Sequence, residues 1–519
     1  MNDFINSVKS CLCQHHGITK IDLVETHISW VLLTGTIVYK IKKPVDFGFV
    51  DFTTLEKRRH FCFEELRLNK RLAPDLYIDV VAFTGDNARI EINGEQPVID
   101  YAVRLKQFNR DDQLDNLINR HKLSRDHITQ LAHIIADFHG VVNIASPDSR
   151  YGEPEVIHAA SMENFRHCRQ LLTDKSDLHQ AESLHNWSNL EFERLYSFLQ
   201  SRKQDGMVRE CHGDLHLGNI TLYHGQVTPF DCIEFNPEFR WIDVISEIAF
   251  LVMDLISRGR QDLAVEFLNE YLMITGDYSG LRCLRYYLVY RAMVRAKVEI
   301  IRAMQTSREP AQLKTALSNF YHYLELAKSF CRLAQPLLII THGLSGSGKS
   351  TIAKKLQDHL FLVHLRSDIE RKRLFRLQAN DKSHSTVDTG IYTHEATQQT
   401  YGKLFTLAEL LVQDHWNVVI DATFLRAKDR ERARELALQQ NAVFVIMDCK
   451  AQDSSLKQRV LAREMEPHAV SEATLSVLQR QITASEPLSE EELAYTVSVD
   501  TDQPIDYESL AQSIAQKMH

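Results

Sequence analysis

The stretch Gly343-Leu-Ser-Gly-Ser-Gly-Lys349-Ser350-Thr351 follows the apolar run Leu337 to Ile340 and opens a segment, Ile352 to Leu362, with helical apolar spacing. Strand, glycine-rich turn and helix in that order make a phosphate-binding loop. Gly343, Gly346 and Gly348, with Ser345 and Ser347 between them, let successive backbone N–H groups curl around an anion, and the following helix turns its positive end toward it. Lys349 reaches outer phosphate oxygens, Ser350 offers a hydroxyl to Mg²⁺, and Thr351 completes the motif. The loop starts at position 343 of a 519-residue chain, so it accounts for only part of it.

A chain of 519 residues is too long for one ordinary core, and two or three domains are expected. With 44% hydrophobic and 25% charged residues the composition is that of a soluble protein. No apolar run approaches the roughly 18 residues that span a bilayer. The start, MNDFINSVKSCLCQHH, has no cationic region followed by an apolar stretch, so no membrane association and a cytoplasmic location are expected. A net charge of −9 gives no general attraction for nucleic acid, and no extensive nucleic-acid surface is expected. The nine cysteines form no CxxC pair, which suits reduced thiols. Cys11, Cys13, His15 and His16 are crowded near the start without a second ligand pair, and read as part of a first helix.

From about 29 to 110 short strands with glycine turns surround one helix through Leu55 to Leu72, as in an antiparallel sheet with a helix packed on it. From about 113 to 333 the pattern is mainly helical, interrupted near 208 to 235. The last third alternates strand and helix around the phosphate loop, implying a parallel sheet covered on both faces. The expected parts are 1–110, 111–335 and 336–519, a multidomain combination of α+β and α/β. The acidic run SEPLSEEEL is expected to be a solvated helix start.

The segment Arg209-Glu-Cys-His212-Gly-Asp214-Leu-His-Leu-Gly-Asn219, followed by Val227-Thr-Pro-Phe-Asp231, carries a different chemistry. An Asp on a tight loop can orient and deprotonate a hydroxyl, while an Asn and a second Asp hold Mg²⁺ against nucleotide phosphates. HGDLHLGN resembles the catalytic loop of the aminoglycoside phosphotransferase and choline kinase group, whose fold is bilobal and protein-kinase-like. The resemblance covers roughly 25 to 330, making 1–110 a small lobe and 111–335 a helical large lobe. It implies Asp214 as catalytic base, Asn219 and Asp231 as metal ligands, and His212 holding the loop. A small lobe of this kind needs a strand lysine and a helix glutamate. Lys40, in Ile37-Val-Tyr-Lys40, has the spacing of V-A-I-K, with Lys42 on the same strand face as alternative. Glu65 is the expected partner and Glu64 its alternative. Two features depart from the pattern: no GxGxxG covers the phosphates, and Cys-Ile-Glu rather than Phe-Gly follows Asp231. Asp243 is expected to support the loop by hydrogen bonding, and Arg291, Arg295 and Arg302 share a helix face that pairs with carboxylates or an anion.

Beyond the phosphate loop, Leu365-Arg366-Ser-Asp368-Ile-Glu-Arg371 follows a short strand, and Asn417-Val-Val-Ile-Asp421 ends another in an acid suited to Mg²⁺. Asp368 and Arg371, one helical turn apart, make a base and a cationic clamp. Arg459 and Arg463 suit a lid over a transferring phosphoryl group. The set resembles the small P-loop kinases, polynucleotide 5′-kinase and gluconate kinase among them. The resemblance implies Lys349 and Ser350 on nucleotide and metal, Asp368 as base, Arg371 on the acceptor, and Arg459 with Arg463 on the phosphates. Tyr392 and Tyr401 are expected beside the acceptor pocket or in the core.

Together the two halves resemble bacterial proteins described as bifunctional aminoglycoside phosphotransferase and ATP-binding proteins. The expectation is a tandem kinase using ATP and Mg²⁺ at two sites, each with a small-molecule or polymer-end hydroxyl as acceptor. The alternatives are one kinase regulated by a nucleotide-binding P-loop domain, and a kinase acting on protein or nucleic-acid ends.

Overall fold

The computed structural model describes residues 2–518 apart from 49, 87–88, 173, 306–308, 379–380, 382, 384–388 and 465–472. It divides into two compact units, Met1–Asp254 with Tyr286–Leu324, and Leu255–Arg285 with Glu325–His519.

In the first unit, β1 (Asp22–Glu25), β2 (Ser29–Leu33), β3 (Ile37–Lys42), β4 (Tyr77–Gly85), β5 (Ile90–Ile92) and β6 (Val98–Lys106) form an antiparallel sheet in the order β1-β2-β3-β6-β4-β5. Side chains alternate between its faces. Trp30, Leu32, Tyr39 and Ile41 pack under the helix Asn2–His16 through Ile5, Val8 and Leu12. Each such side chain stabilises the lobe by about 1.5–3 kcal/mol. Cys11 and Cys13 pack at the edge of the same cluster, and His16 bonds the Tyr39 hydroxyl at 2.9 Å. On the opposite face Val38, Val103 and Leu105 meet Cys62 and Leu66 of the helix Leu55–Asn69. Lys40 and Lys42, two and four positions after Val38, therefore share the face that this helix covers.

The helical remainder includes Arg125–Val141, Pro154–Leu171, Lys175–Gln204 and Val244–Ser257. It is interrupted by β7 (Val208–Glu210), the hairpin β8 (Ile220–Tyr223) with β9 (Gln226–Pro229), and β10 (Trp241–Asp243), which pairs with β7.

The second unit is built on five parallel strands, β11 (Leu337–His342), β12 (Leu362–Arg366), β13 (Asn417–Asp421), β14 (Val443–Lys450) and β15 (Thr496–Asp500), in the order β12-β13-β11-β14-β15. Leu337 to Ile340 are wholly buried, as a central strand with both faces covered requires. Residues 255–285, expected in the large lobe, belong to this unit. The cause is polar and long-range: Gln357 donates to Glu266 (2.8 Å), Lys354 pairs with Glu266 (2.8 Å), Asn269 donates to the Leu362 carbonyl (2.8 Å), and Trp416 donates to that of Leu281 (3.1 Å). Ser489 begins a one-turn helix with a capping box, but Glu492 within it is not solvated. It pairs with the wholly buried Arg430 at 2.6 Å. No helix among the described residues is long and apolar enough to cross a membrane.

Candidate active sites

In the first unit Glu65 is fully buried and bridges both strand lysines, Lys40 at 2.9 Å and Lys42 at 2.8 Å. The sequence alternatives Lys40 and Lys42 thus both meet Glu65, while Glu64 turns to Arg67 (2.6 Å) and Arg240 (2.9 Å). The two lysines differ in what else they touch. Lys40 also reaches Asp231 at 2.5 Å and keeps 16% of its side chain exposed. Lys42 is fully enclosed, over the Phe52 ring and against Glu234, a carboxylate that sequence reading left without a role. Burial opposes ionisation of Glu65, but the two ammonium groups outweigh it and hold its carboxyl below the usual range.

Asp231 follows β9 in a left-handed conformation, φ 66°, with its N–H directed to the Tyr77 hydroxyl at 3.3 Å. Asp214 accepts from Asn219 Nδ2 at 2.8 Å, and His216 lies 3.5 Å away. With Nδ2 committed, Oδ1 is the Asn219 atom suited to a cation. Burial works against an Asp214 carboxylate, yet His216, His212 and Arg295 together hold its pKa well below the ordinary range. His212 is buried, with Nε2 2.8 Å from the Phe230 carbonyl and Nδ1 3.3 Å from the Asp214 N–H.

The supports of this loop are not the expected ones. Asp243 binds Arg202 (2.6 Å) and caps the Ile245 N–H (2.8 Å), away from the loop. Four residues on, buried Glu247 accepts from the N–H groups of His212 (2.7 Å) and Gly213 (3.0 Å), and Asp254 accepts from that of Leu217 (3.0 Å). Arg291, one of the helix-face arginines, is buried and donates to the carbonyls of Ser246 (3.1 Å) and Gly213 (3.4 Å), so it too is a support. A second network ties the helix Leu55–Asn69 to β7: Arg67 pairs with Glu210 (2.6 Å), Arg71 donates to the Glu210 carbonyl (2.7 Å), and Arg240 pairs with Glu64 and Glu210. An acid one helical turn after Asp243 was the only local sign of Glu247.

His139, Cys211 and Glu247 bring ligand-type atoms within 4.8 Å of one another behind the loop. Because Glu247 is already engaged by two backbone donors, the cluster is a loop support. Burial, aided by the Arg209 charge, pushes the His139 pKa down to about 3. The unfolded chain takes up this proton near pH 6.5, whereas the folded chain resists until about 3. Between those values the unfolded state binds more protons, so stability falls on acidification by up to about 1.4 kcal/mol per pH unit. Amide exchange along the helix Arg125–Val141 is expected to accelerate from about pH 7 to about pH 5 relative to intrinsic rates. His139→Asn should flatten that dependence; an unchanged slope would show the proton is bound elsewhere.

In the second unit the phosphate loop leaves β11 and enters the helix Lys349–Leu360. Gly343 (φ 135°) and Gly346 (φ 86°) adopt conformations that L side chains rarely take, and a Cβ there would lie 2.5 Å from the Cys449 carbonyl oxygen and 2.8 Å from that of Leu456. Ser347 Oγ is buried with no hydrogen-bond partner among the described residues, and Lys349 Nζ is bound to the Leu344 carbonyl at 2.7 Å. Burial, together with the nearby Arg463 charge, lowers the Lys349 pKa. A cradle with an orphaned hydroxyl and an enclosed ammonium fits a phosphate chain.

The loop opens on a cavity of about 820 Å³ lined by Ser345, Lys349, Ser350, Asp368, Arg371 and Arg463, among others. These converge because β11, β12 and β13 all end on this side. Asp421, at the end of β13, also lines the cavity; its burial disfavours charge, but a hydrogen bond from His364 at 3.2 Å, then Arg366 and Ser350, hold its carboxyl well below the usual range. Tyr392 and Tyr401 border the same space. Two expected members lie elsewhere. Thr351 is exposed on the helix. Arg459 is held by Thr501 (2.8 Å), Asp502 (2.9 Å) and the Gly346 carbonyl (3.2 Å), where it braces the loop from outside.

A family model described as an AAA domain matches residues 338–488. An uncharacterized protein of Mycobacterium tuberculosis is 28% identical over 457 residues, 87% of this chain and 88% of its own. Solved structures similar to parts of the chain include a gluconokinase from Sinorhizobium meliloti (20% identity, TM-score 0.25, 35% of this chain and 91% of that one). Another is the APS kinase of Mycobacterium tuberculosis (18%, TM-score 0.25, 36% and 98%). A third is a choline kinase from Cryptosporidium parvum (11%, TM-score 0.37, 60% and 89%).

Proposed function

We propose that the chain is a tandem ATP-dependent phosphotransferase whose two units each move the γ-phosphoryl group to an alcohol. The observation that carries this is the assembly, in the first unit, of Lys40, Glu65 and Asp231 into one ionic cluster with an Asp214–Asn219 pair on the adjoining loop. Lys40 is the lysine for phosphate oxygens, because Lys42 is sealed from any ligand. Mg²⁺ would be held by Asp231 and the Asn219 Oδ1 in the first unit and by Asp421 and Ser350 in the second, and when bound neutralises charge on the phosphates. The acceptor hydroxyl hydrogen-bonds to Asp214; as its oxygen bonds to γ-phosphorus, the bond to the β-bridging oxygen breaks, ADP leaves with that electron pair, and the proton passes to Asp214.

In the second unit Asp368 takes the same role, with Lys349 and Arg463 on the phosphates. A nucleotide switch alone needs no acceptor-side acid, whereas Asp368 and Arg371 both border the cavity of the phosphate loop. We place the enzyme in a reducing compartment, since its nine cysteines are scattered along the sequence without a CxxC pair. Incubation of the full chain with a cell extract and γ-labelled ATP is expected to give two labelled products. Asp214→Ala should remove one and Asp368→Ala the other. If Asp368→Ala changes nothing while Lys349→Ala stops the product of the first unit, the second unit is a regulator instead.

A further inference from the structure

We infer that Gln481 is a positioning residue of the second unit: through the peptide bond between Leu344 and Ser345 it aims Lys349, and so strengthens the hold on a nucleoside triphosphate over a diphosphate. This deepens the kinase reading of that site and rests on it. The two ends of that one peptide unit are bound by different parts of the chain. Its carbonyl accepts from Lys349 Nζ at 2.7 Å, and its N–H donates to Gln481 Oε1 at 2.8 Å. A peptide unit is planar and turns as one piece, so whatever fixes the N–H also fixes the direction of the carbonyl. The Ser347 N–H, 3.1 Å from the same carbonyl, belongs to the loop itself. Gln481 is the anchor outside the loop.

Ser345 is 8% exposed, and its N–H meets no acceptor other than Gln481 among the described residues. A buried N–H left without a partner is costly, and a loop rich in glycine can relieve the cost by turning the peptide, which would carry the carbonyl away from Lys349. The glutamine reaches this N–H from the helix Leu475–Ala484, 136 positions along the chain. Leu478, one helical turn before Gln481, packs with Leu456 and Val460 against Leu344. Arg459, on the helix Asp453–Glu464, donates to the Gly346 carbonyl at 3.2 Å. Leu344, Ser345 and Gly346 are thus each held by these two helices, and the middle one is held through Gln481.

The residue type suits the task. Gln481 borders the cavity of the phosphate loop. A backbone N–H can only donate, so Oε1 faces Ser345 and Nε2 remains a donor. A carboxylate would accept the same N–H but would bring a negative charge beside a polyphosphate, and an amide accepts without it. Lys349 reaches the outer phosphates, so a misdirected ammonium weakens a triphosphate more than a diphosphate.

The test measures binding rather than turnover. The full chain carries Lys40→Met and Asp231→Asn, which remove the phosphate and metal groups proposed for the first unit, and Lys349→Ala in the same background marks the binding that belongs to the phosphate loop. Affinities for a non-hydrolysable ATP analogue and for ADP, each with Mg²⁺, are read by calorimetry. Gln481→Met is expected to weaken the analogue by about 3- to 10-fold, the range for one hydrogen bond, and ADP by less. With Lys349 already replaced by alanine the same change should cost nothing further, because the group it aims is gone. Equal losses in both backgrounds, or no loss in either, overturn the inference and leave Gln481 as packing. Tighter binding of the analogue by Gln481→Met also overturns it, since Oε1 would then stand where a phosphate oxygen must go. Each of these results leaves the kinase reading intact. If Lys349→Ala leaves both affinities unchanged, the loop is not a nucleotide site and both readings fall.

Discussion

Asp214→Asn is expected to lower the kcat of the first unit by about 10²- to 10⁴-fold, the range for losing a positioned general base. The amide occupies the same space and can still meet Asn219, but it cannot accept the hydroxyl proton. The KM for ATP should hold, because the Lys40, Glu65 and Asp231 cluster does not depend on Asp214. Rates are measured on the labelled product assigned to the first unit, at saturating ATP. A variant with undiminished rate would move the proton acceptor elsewhere, and His216, 3.5 Å from the carboxylate, would be the group to replace next.

The largest loss of stability is expected from Lys42→Met. Its ammonium lies between Glu65 and Glu234 with none of the side chain exposed. Removing it leaves Glu234 buried without that cation and Glu65 with Lys40 alone, and breaking a buried pair from one side costs about 3–5 kcal/mol. Chemical denaturation of the first unit reads the effect. Lys42→Met combined with Glu234→Leu should recover much of it, because an apolar pair can replace a buried ionic one. If the single variant is as stable as the parent, the cluster is solvated in solution and Lys42 is open to a phosphate after all. Lys40→Met offers the contrast: with 16% of its side chain exposed, it should cost less stability and more activity.

What could be read directly from the sequence was whatever the chain carries within a few residues. The strand, glycine turn and helix around Lys349 are contiguous, and backbone sterics allow that order of residues few other uses. Asp214 and Asn219 lie five positions apart on one loop, and the apolar periods separated an antiparallel from a parallel sheet. Asp368 and Arg371 were legible for the same reason, being one turn of one helix.

The tertiary structure decided what depends on partners far along the chain. Lys40 and Lys42 share a strand face, and only Asp231 and Glu234, more than 190 positions away, give one access to a ligand and seal the other. Asp243 and Glu247 are equivalent as acids on a line of sequence; the packing of one helix sends the first to Arg202 and the second to the backbone of the loop that carries Asp214. Arg459 and Arg463 lie one turn apart, yet Thr501 and Asp502 take Arg459 out of the cavity. The segment 255–285 left its expected lobe for a few hydrogen bonds to residues beyond 350. Local backbone preference specifies motifs, whereas the role of a charged side chain follows from which distant charge or donor meets it where water is excluded.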